Sequence, residues 1–288
     1  MSTADLLAKF KREQKRHLAA SSFERLEDIL KTLGTYLPAK LKEITKQTVS
    51  DFLEDRSSKV AAGTVAKELT TLKHALRLAV DDWGLIQTNP ARGAKAPKVA
   101  EGRTRYLSPT ELKAVLEACP VWMRAPIALA AFTGMRRGEI LKLRWRDVDL
   151  EGRRLYLHET KNGTLRVVPL NSTALAVLHS LPLGLPGALV LPDIDPARLS
   201  VYTRRVFASL QIEDASFHSL RHTAASWLVM EGADLFSVGK LLGHKTPRMT
   251  ARYSHLSPAY LAEMTGKLDA AFERGGGNLA LVAGRPRD

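Results

Sequence analysis

The sequence predicts a mainly α-helical protein in two parts. A helical N-terminal domain spans residues 1–87, and an α+β domain with a small antiparallel β-sheet spans residues 106–274. Three observations carry this reading. Apolar residues in the first part recur three and four apart. A basic stretch rich in proline and glycine, residues 88–105, interrupts that pattern. Further on, the period switches to two for a short run.

In chain order, Phe23, Leu26, Leu30, Leu33 and Leu37 lie on one helical face. Thr48–Arg56 reads as a shorter helix. Val65, Leu69, Leu72, Leu76 and Val80 mark another, ending near Trp83-Gly84, where the glycine can turn left-handed. Residues 88–105 read as an interdomain linker. Ser108-Pro109-Thr110-Glu111 combines an N-cap, a proline at the first helical position and a capping-box glutamate. Helices are expected at about 109–118, 122–133 and 137–143. Leu155 and Leu157 then alternate with Arg154, Tyr156 and His158, and Asn162-Gly163 signals a tight hairpin before Arg166–Pro169. Trp145–Val148 reads as a third strand. From Ser172 the chain reads mainly helical, with proline-rich breaks between Leu181 and Pro196, and residues 275–288 read as a flexible tail.

Composition narrows the function classes. Of 288 residues 45% are apolar, and no stretch approaches the ~18 apolar residues of a membrane span. No secretory signal is read in Met1–Phe10. Cys119 is the only cysteine, which excludes an intrachain disulfide and fits a reducing cytoplasm. The net charge is +13, divided as +6 over residues 1–100 and +7 over the remainder. A basic balance in both parts suits a polyphosphate gripped by each, though charge alone suits an ordinary basic protein equally well.

Four segments hold the residues of chemical interest. They are Thr133-Gly134-Met135-Arg136-Arg137-Gly138-Glu139-Ile140, Thr160-Lys161-Asn162-Gly163, His218-Ser219-Leu220-Arg221-His222-Thr223, and Leu241-Leu242-Gly243-His244 followed by Arg252-Tyr253. Arg136 follows a helix end, and Lys161 sits beside a hairpin turn. His218 and Arg221, three apart, share a helical face. Two arginines, two histidines, a lysine and a tyrosine suit phosphoryl transfer. Guanidinium forks bind non-bridging oxygens, a histidine assists deprotonation of the tyrosine, and a lysine can protonate the leaving alkoxide. Fixed side-chain cations do here what a metal does in many nucleases, so no metal and no cofactor are expected.

In this order, these segments resemble the tyrosine recombinase, or phage integrase, family. The likeness covers nearly the whole chain, with Leu76–Pro90 similar to the end of that family's helical core-binding domain. It implies two domains forming a C-shaped clamp on double-stranded DNA. It implies that Arg136 and Arg221 hold the scissile phosphate and that His218 is the general acid/base. Lys161 would protonate the departing 5′ oxygen, and His244 would add a phosphate contact. Tyr253 would attack to leave a 3′-phosphotyrosyl bond, and Glu139 would support the site. Partners implied are DNA target sites, three further copies on paired sites and accessory DNA-binding proteins, with a monomer when free and a nucleoid location. Little room is read before the first helices for the arm-binding domain of some phage integrases, so the layout is nearer to simple Xer-type recombinases.

Taken singly, each residue has a plainer reading. Arg136-Arg137 is a solvated pair, Tyr253 a packed aromatic, His244 a charge at a helix end. His218 and His222 are spaced as half a zinc site, but no acidic or cysteine ligand follows at zincin spacing. Joint occurrence in one order outweighs these. Two rival functions share some features. A type IB topoisomerase uses similar chemistry without exchanging strands. A DNA-binding regulator could use Asp234–Gly243 and Thr246–Tyr253 as a helix-turn-helix, but needs neither Lys161 nor Tyr253. Leu256, Tyr260, Met264, Leu268 and Phe272 lie three to four apart, an apolar face that could dock on a neighbouring subunit.

Overall fold

The computed structural model describes residues 1–98, 104–158, 165–256 and 267–275, and the chain divides into two compact units, Met1–Gly102 and Arg103–Asp288. The N-terminal unit is helical: α1 (Thr3–Lys15), α2 (Ala20–Tyr36), α3 (Lys46–Lys59) and α4 (Ala62–Asp81). Ser2 caps α1 by accepting from the Asp5 N–H at 3.0 Å, while Asp5 accepts from the Ser2 N–H. The apolar faces read from the sequence meet in one core, where Leu33, Leu72 and Leu76 are fully buried beside Phe10 and Phe52. Arg56 on α3 makes a two-pronged ion pair with the buried Glu68 on α4, at 2.9 and 2.6 Å, fixing the two helices in register. Gly84 is left-handed, with φ of 57°.

Part of the stretch read as linker packs on this core. Ala91 is fully buried, and Asn89 donates to the Lys73 carbonyl and accepts from the Ala91 N–H. Its residues are small and polar, so they leave no apolar period in the sequence.

The second unit is built around α6 (Val121–Thr133), which is buried on nearly all sides and packs against α8 (Ser172–His179) and α10 (Phe217–Met230). Around it lie α5 (Pro109–Ala118), α7 (Arg137–Lys142), α9 (Pro196–Ser209), α11 (Leu235–Leu242) and α12 (Pro247–Ala251). The Ser108–Glu111 capping box forms as read, with Ser108 Oγ accepting from Glu111 N–H at 3.1 Å. A three-stranded antiparallel sheet, β1 (Val148–Asp149), β2 (Arg154–His158) and β3 (Leu165–Pro169), pairs in that order, with Leu157 opposite Arg166. Leu155, Leu157 and Val168 turn into the core.

Two expectations are corrected. Trp145–Val148 is not a strand: residues 145–147 form a 3₁₀ turn, and only Val148 enters the sheet. The Trp145 and Arg146 N–H groups donate to Ala188 and Pro186 carbonyls, so this backbone pairs with a loop instead. The helix-turn-helix reading also fails, because α12 has five residues, too short for a helix that lies along a DNA groove. Lys161, the Asn162-Gly163 turn, Tyr260 and Met264 lie outside the described residues. Leu268 and Phe272 are exposed on a helical stretch at 267–274.

Candidate active site

The site forms where three helix ends meet. α6 closes at Gly134 and α11 at Gly243, both left-handed, with φ of 66° and 67°. The backbone sign favours glycine at both, and a side chain would in addition crowd its neighbours. A Cβ on Gly134 would lie 2.3 Å from Leu242 Cδ2, and one on Gly243 would lie 2.7 Å from Arg166 Nη1. The last carbonyls of a helix have no partner within it and carry the negative end of its dipole. Arginines occupy them. Arg221 on α10 donates from Nη1 to the Gly134 carbonyl at 2.7 Å and from Nη2 to the Leu242 carbonyl at 2.6 Å. Arg136, immediately before α7, donates to the Gly243 carbonyl at 2.9 Å. Arg166 on β3 donates to the Leu241 carbonyl at 3.2 Å.

Glu139 joins two of these cations. Its carboxylate accepts from Arg136 Nη1 at 2.7 Å and from the Arg136 N–H at 2.8 Å, and takes Arg166 Nη2 at 2.6 Å. Burial alone would raise the carboxyl's pKa, but Arg166 and Arg136 outweigh it and hold the group below the usual range. Arg221 has no such carboxylate partner among the described residues. It is buried, and loss of water together with Arg136 lowers its pKa to about 10, still fully charged at neutral pH. Glu139 thus bridges the guanidiniums of Arg136 and Arg166, while that of Arg221 is held by backbone carbonyls. Arg136 and Arg221 stand close enough for each to disfavour a second positive charge nearby, and an anion is the ligand that suits such a pair. Beside Arg136 a cavity of about 740 Å³ is lined also by Lys142, Arg144, Arg146, His158 and Lys245.

Tyr253 follows α12 and is buried, at 1% exposure, against Ala225, Val229, Val238 and Leu242. Its hydroxyl lies 2.5 Å from His222 Nδ1. Burial raises the phenol's pKa, opposed by Arg252 and Arg221. His244 follows Gly243, and its Nδ1 lies 2.7 Å from Thr250 Oγ1. His218 stands one turn before His222 on α10, the two rings edge-to-face at 4.7 Å. His218 is the most exposed of the three residues, though its ring is partly desolvated, while His222 and His244 are half-buried.

Burial, with neighbouring cations adding, lowers His222 to about 3 and His244 to about 4, and depresses His218 as well. Between the ordinary histidine pKa and these values the unfolded chain holds protons that the folded chain lacks. Stability therefore falls as pH drops below about 6.5, by up to ~1.4 kcal/mol per pH unit for each such proton, and by less where solvent reaches the ring. A thermal melt at pH 5 is expected several degrees below one at pH 7. Equal melting temperatures at the two pH values would contradict these neutral rings.

Among the residues singled out from sequence, Arg136, Glu139, His218, Arg221, His244 and Tyr253 come together here, while Lys161 lies outside the described residues. Two further members, Arg166 and His222, were not singled out as site residues. Arg166 had a signal, since it shares the inward parity of β3 with buried Val168, where an arginine needs an anionic partner. His222 reads from the sequence only as half of a zinc site, and no period or motif pairs it with a tyrosine thirty-one residues away.

Comparison with known proteins identifies the family. Residues 105–259 match the phage integrase family, and residues 3–96 match the phage integrase SAM-like domain. The chain is 33% identical over 242 residues to a shufflon-specific DNA recombinase of Escherichia coli, covering 83% of this chain and 60% of that protein. It is 30% identical over 229 residues to the integrase of Salmonella phage P22, covering 74% and 59%. It therefore spans about three fifths of the length of these two relatives. A crystal structure of a lambda integrase dimer bound to a COC′ core site shares the fold, with a TM-score of 0.76 at 24% identity over 86% of this chain and 97% of the other. With more than half of its length matched by the family and both units accounted for, the chain belongs to the phage integrase family of tyrosine recombinases.

Proposed function

We propose that the chain is a site-specific DNA recombinase that cuts and rejoins double-stranded DNA through a 3′-phosphotyrosyl bond at Tyr253. The observation that supports it most is the pair Arg136 and Arg221, held by the carbonyls at the ends of α6 and α11, with His244 and Tyr253 beside them.

Arg136 and Arg221 receive the scissile phosphate. Their forks are already aimed by the carbonyls of Gly134, Leu242 and Gly243, so little reorganisation accompanies binding. Glu139 and Arg166 hold Arg136 from behind. The Tyr253 oxygen attacks phosphorus, a new O–P bond forms and the bond to the 5′ oxygen breaks. His218, the most exposed of the three histidines, serves as general acid/base, and His244 adds a phosphate contact. By family likeness Lys161 gives its proton to the departing 5′ oxygen. The phosphotyrosyl ester conserves the energy of the broken diester, so a 5′ hydroxyl can reverse the step without ATP.

Binding rests on charge in both units. In the N-terminal unit Lys46, Lys73, Arg77, Arg92 and Lys95 line one groove. Each phosphate neutralised releases counterions, so affinity should fall steeply with salt. Exchange between two duplexes needs four cleavages, hence four copies on paired sites, and exposed Leu268 and Phe272 suit docking on a neighbour. We infer a helical core-binding domain over residues 1–87, a catalytic domain over 106–274, and a nucleoid location.

The test begins by selecting bound sequences from a randomised duplex pool. A nicked duplex carrying the selected site, incubated with the protein in EDTA, should yield a covalent adduct on a denaturing gel. Relaxation of supercoiled plasmid without sequence preference would favour a type IB topoisomerase. Absence of any adduct would leave only a DNA-binding role.

A further inference from the structure

The reaction described above leaves His222 unused, although it is the side chain that touches the nucleophile's oxygen. We propose that His222 is a positioning residue that fixes the Tyr253 hydroxyl beside the phosphate-binding fork. The proposal rests on the recombinase reading and adds a residue to its machinery.

Three observations carry it. First, the hydroxyl of Tyr253 lies 2.5 Å from His222 Nδ1, and this is its hydrogen-bond partner among the described residues. Second, the ring is buried among apolar side chains, which fix its depth but offer no direction to a hydroxyl. The local backbone adds little. α12 has five residues, and beyond it single bonds run from Tyr253 N–H to Thr250 O and from Leu256 N–H to Tyr253 O, both 3.0 Å. Third, His222 directly follows Arg221 on α10, a 14-residue helix packed against α6. The group that orients the attacking oxygen and a group that orients the phosphate are therefore consecutive residues on one rigid element. A fixed distance between reacting groups is a large part of what an active site contributes to rate.

The charged and titratable groups facing His222 are His218 and Arg221 from α10 itself, His244 from the segment after α11, and Arg252 and Tyr253 from the segment after α12. Burial first, and then these neighbours, four of which are cationic or can become so, keep the imidazole neutral and make it a poor acceptor for the phenol's proton. Its part is to hold the oxygen, and the proton leaves by another group. His218, edge-on to the same ring and more exposed, is placed for that.

Leucine and asparagine are close in size and differ in the hydrogen bond, and an asparagine amide occupies nearly the position of Nδ1. The experiment uses the full chain and the nicked duplex with the selected site, with wild type and Tyr253→Phe on the same gel. His222→Leu should bind that duplex as wild type does and form adduct about 10- to 100-fold more slowly, the size expected for one lost buried hydrogen bond to the reacting atom. His222→Asn should recover a rate within about fivefold of wild type, with the same pH profile. If His222→Leu shows no cooperative melt, His222→Gln replaces it: its amide is displaced by one methylene, and it should be slow where His222→Asn is fast. A rate for His222→Leu near wild type overturns the proposal, as does an asparagine variant as slow as leucine or glutamine. A changed pH profile in His222→Asn also overturns it, because it makes His222 a proton acceptor. Absence of adduct from wild type is a different failure, that of the recombinase reading.

Discussion

Tyr253→Phe is expected to abolish the covalent adduct while leaving DNA binding unchanged. Phenylalanine keeps the ring that packs on Ala225, Val229, Val238 and Leu242, and removes only the oxygen. The nearby hydroxyl of Thr250 is engaged by His244, and the alcohol of the following Ser254 is a weaker acid than a phenol and does not reach the position of the ring oxygen. The loss should be complete within detection, beyond the effect of any other single change proposed. The cost to the fold is of a different size. His222 Nδ1 loses its partner in a half-buried setting, about 1 kcal/mol or somewhat more. A gel-shift titration beside the adduct gel separates the two effects. An adduct that survives in Tyr253→Phe removes Tyr253 from the mechanism.

Arg221→Lys should lower cleavage by about 10²- to 10³-fold, the range for losing a fixed donor to a developing anion. The charge is conserved, so an effect of charge alone would leave the rate close to wild type. What is lost is the planar fork. Arg221 spans the Gly134 and Leu242 carbonyls with two different nitrogens, and a lysine ammonium on its flexible stem cannot satisfy both in that geometry while facing a phosphate. One carbonyl at a buried helix end is then left bare, so the melting temperature should fall along with the rate. Single-turnover cleavage and a thermal melt of the same preparation test this together. Cleavage by Arg221→Lys at the wild-type rate would mean that the guanidinium geometry has no part in the chemistry.

The sequence was informative where a feature is local. The Ser108–Glu111 capping box, the alternation at Leu155 and Leu157 and the apolar faces of α2 and α4 are written within a few residues, and each is found where it was read. The arginines, histidines and tyrosine of the site were legible for another reason, their fixed order along the chain. Contacts that join distant segments were not legible. Nothing near Arg166 points to Glu139, and nothing near Trp145 tells that its N–H will pair with a loop more than forty residues away. The same holds for Asn89 and Ala91, whose packing depends on a cavity that only the folded helices create.

The helix-end carbonyls that orient the arginines also set an order in time. Arg136 is made first, the Gly243 oxygen that orients it comes more than a hundred residues later, and Tyr253 later still. A truncated chain ending before Gly243 has the cations of a DNA-binding protein without the frame that aims them. On the recombinase proposal, competence to cut DNA is thus conferred only once the segment from Gly243 to Tyr253 has been translated, and a product that stops short of it should have no means to cut.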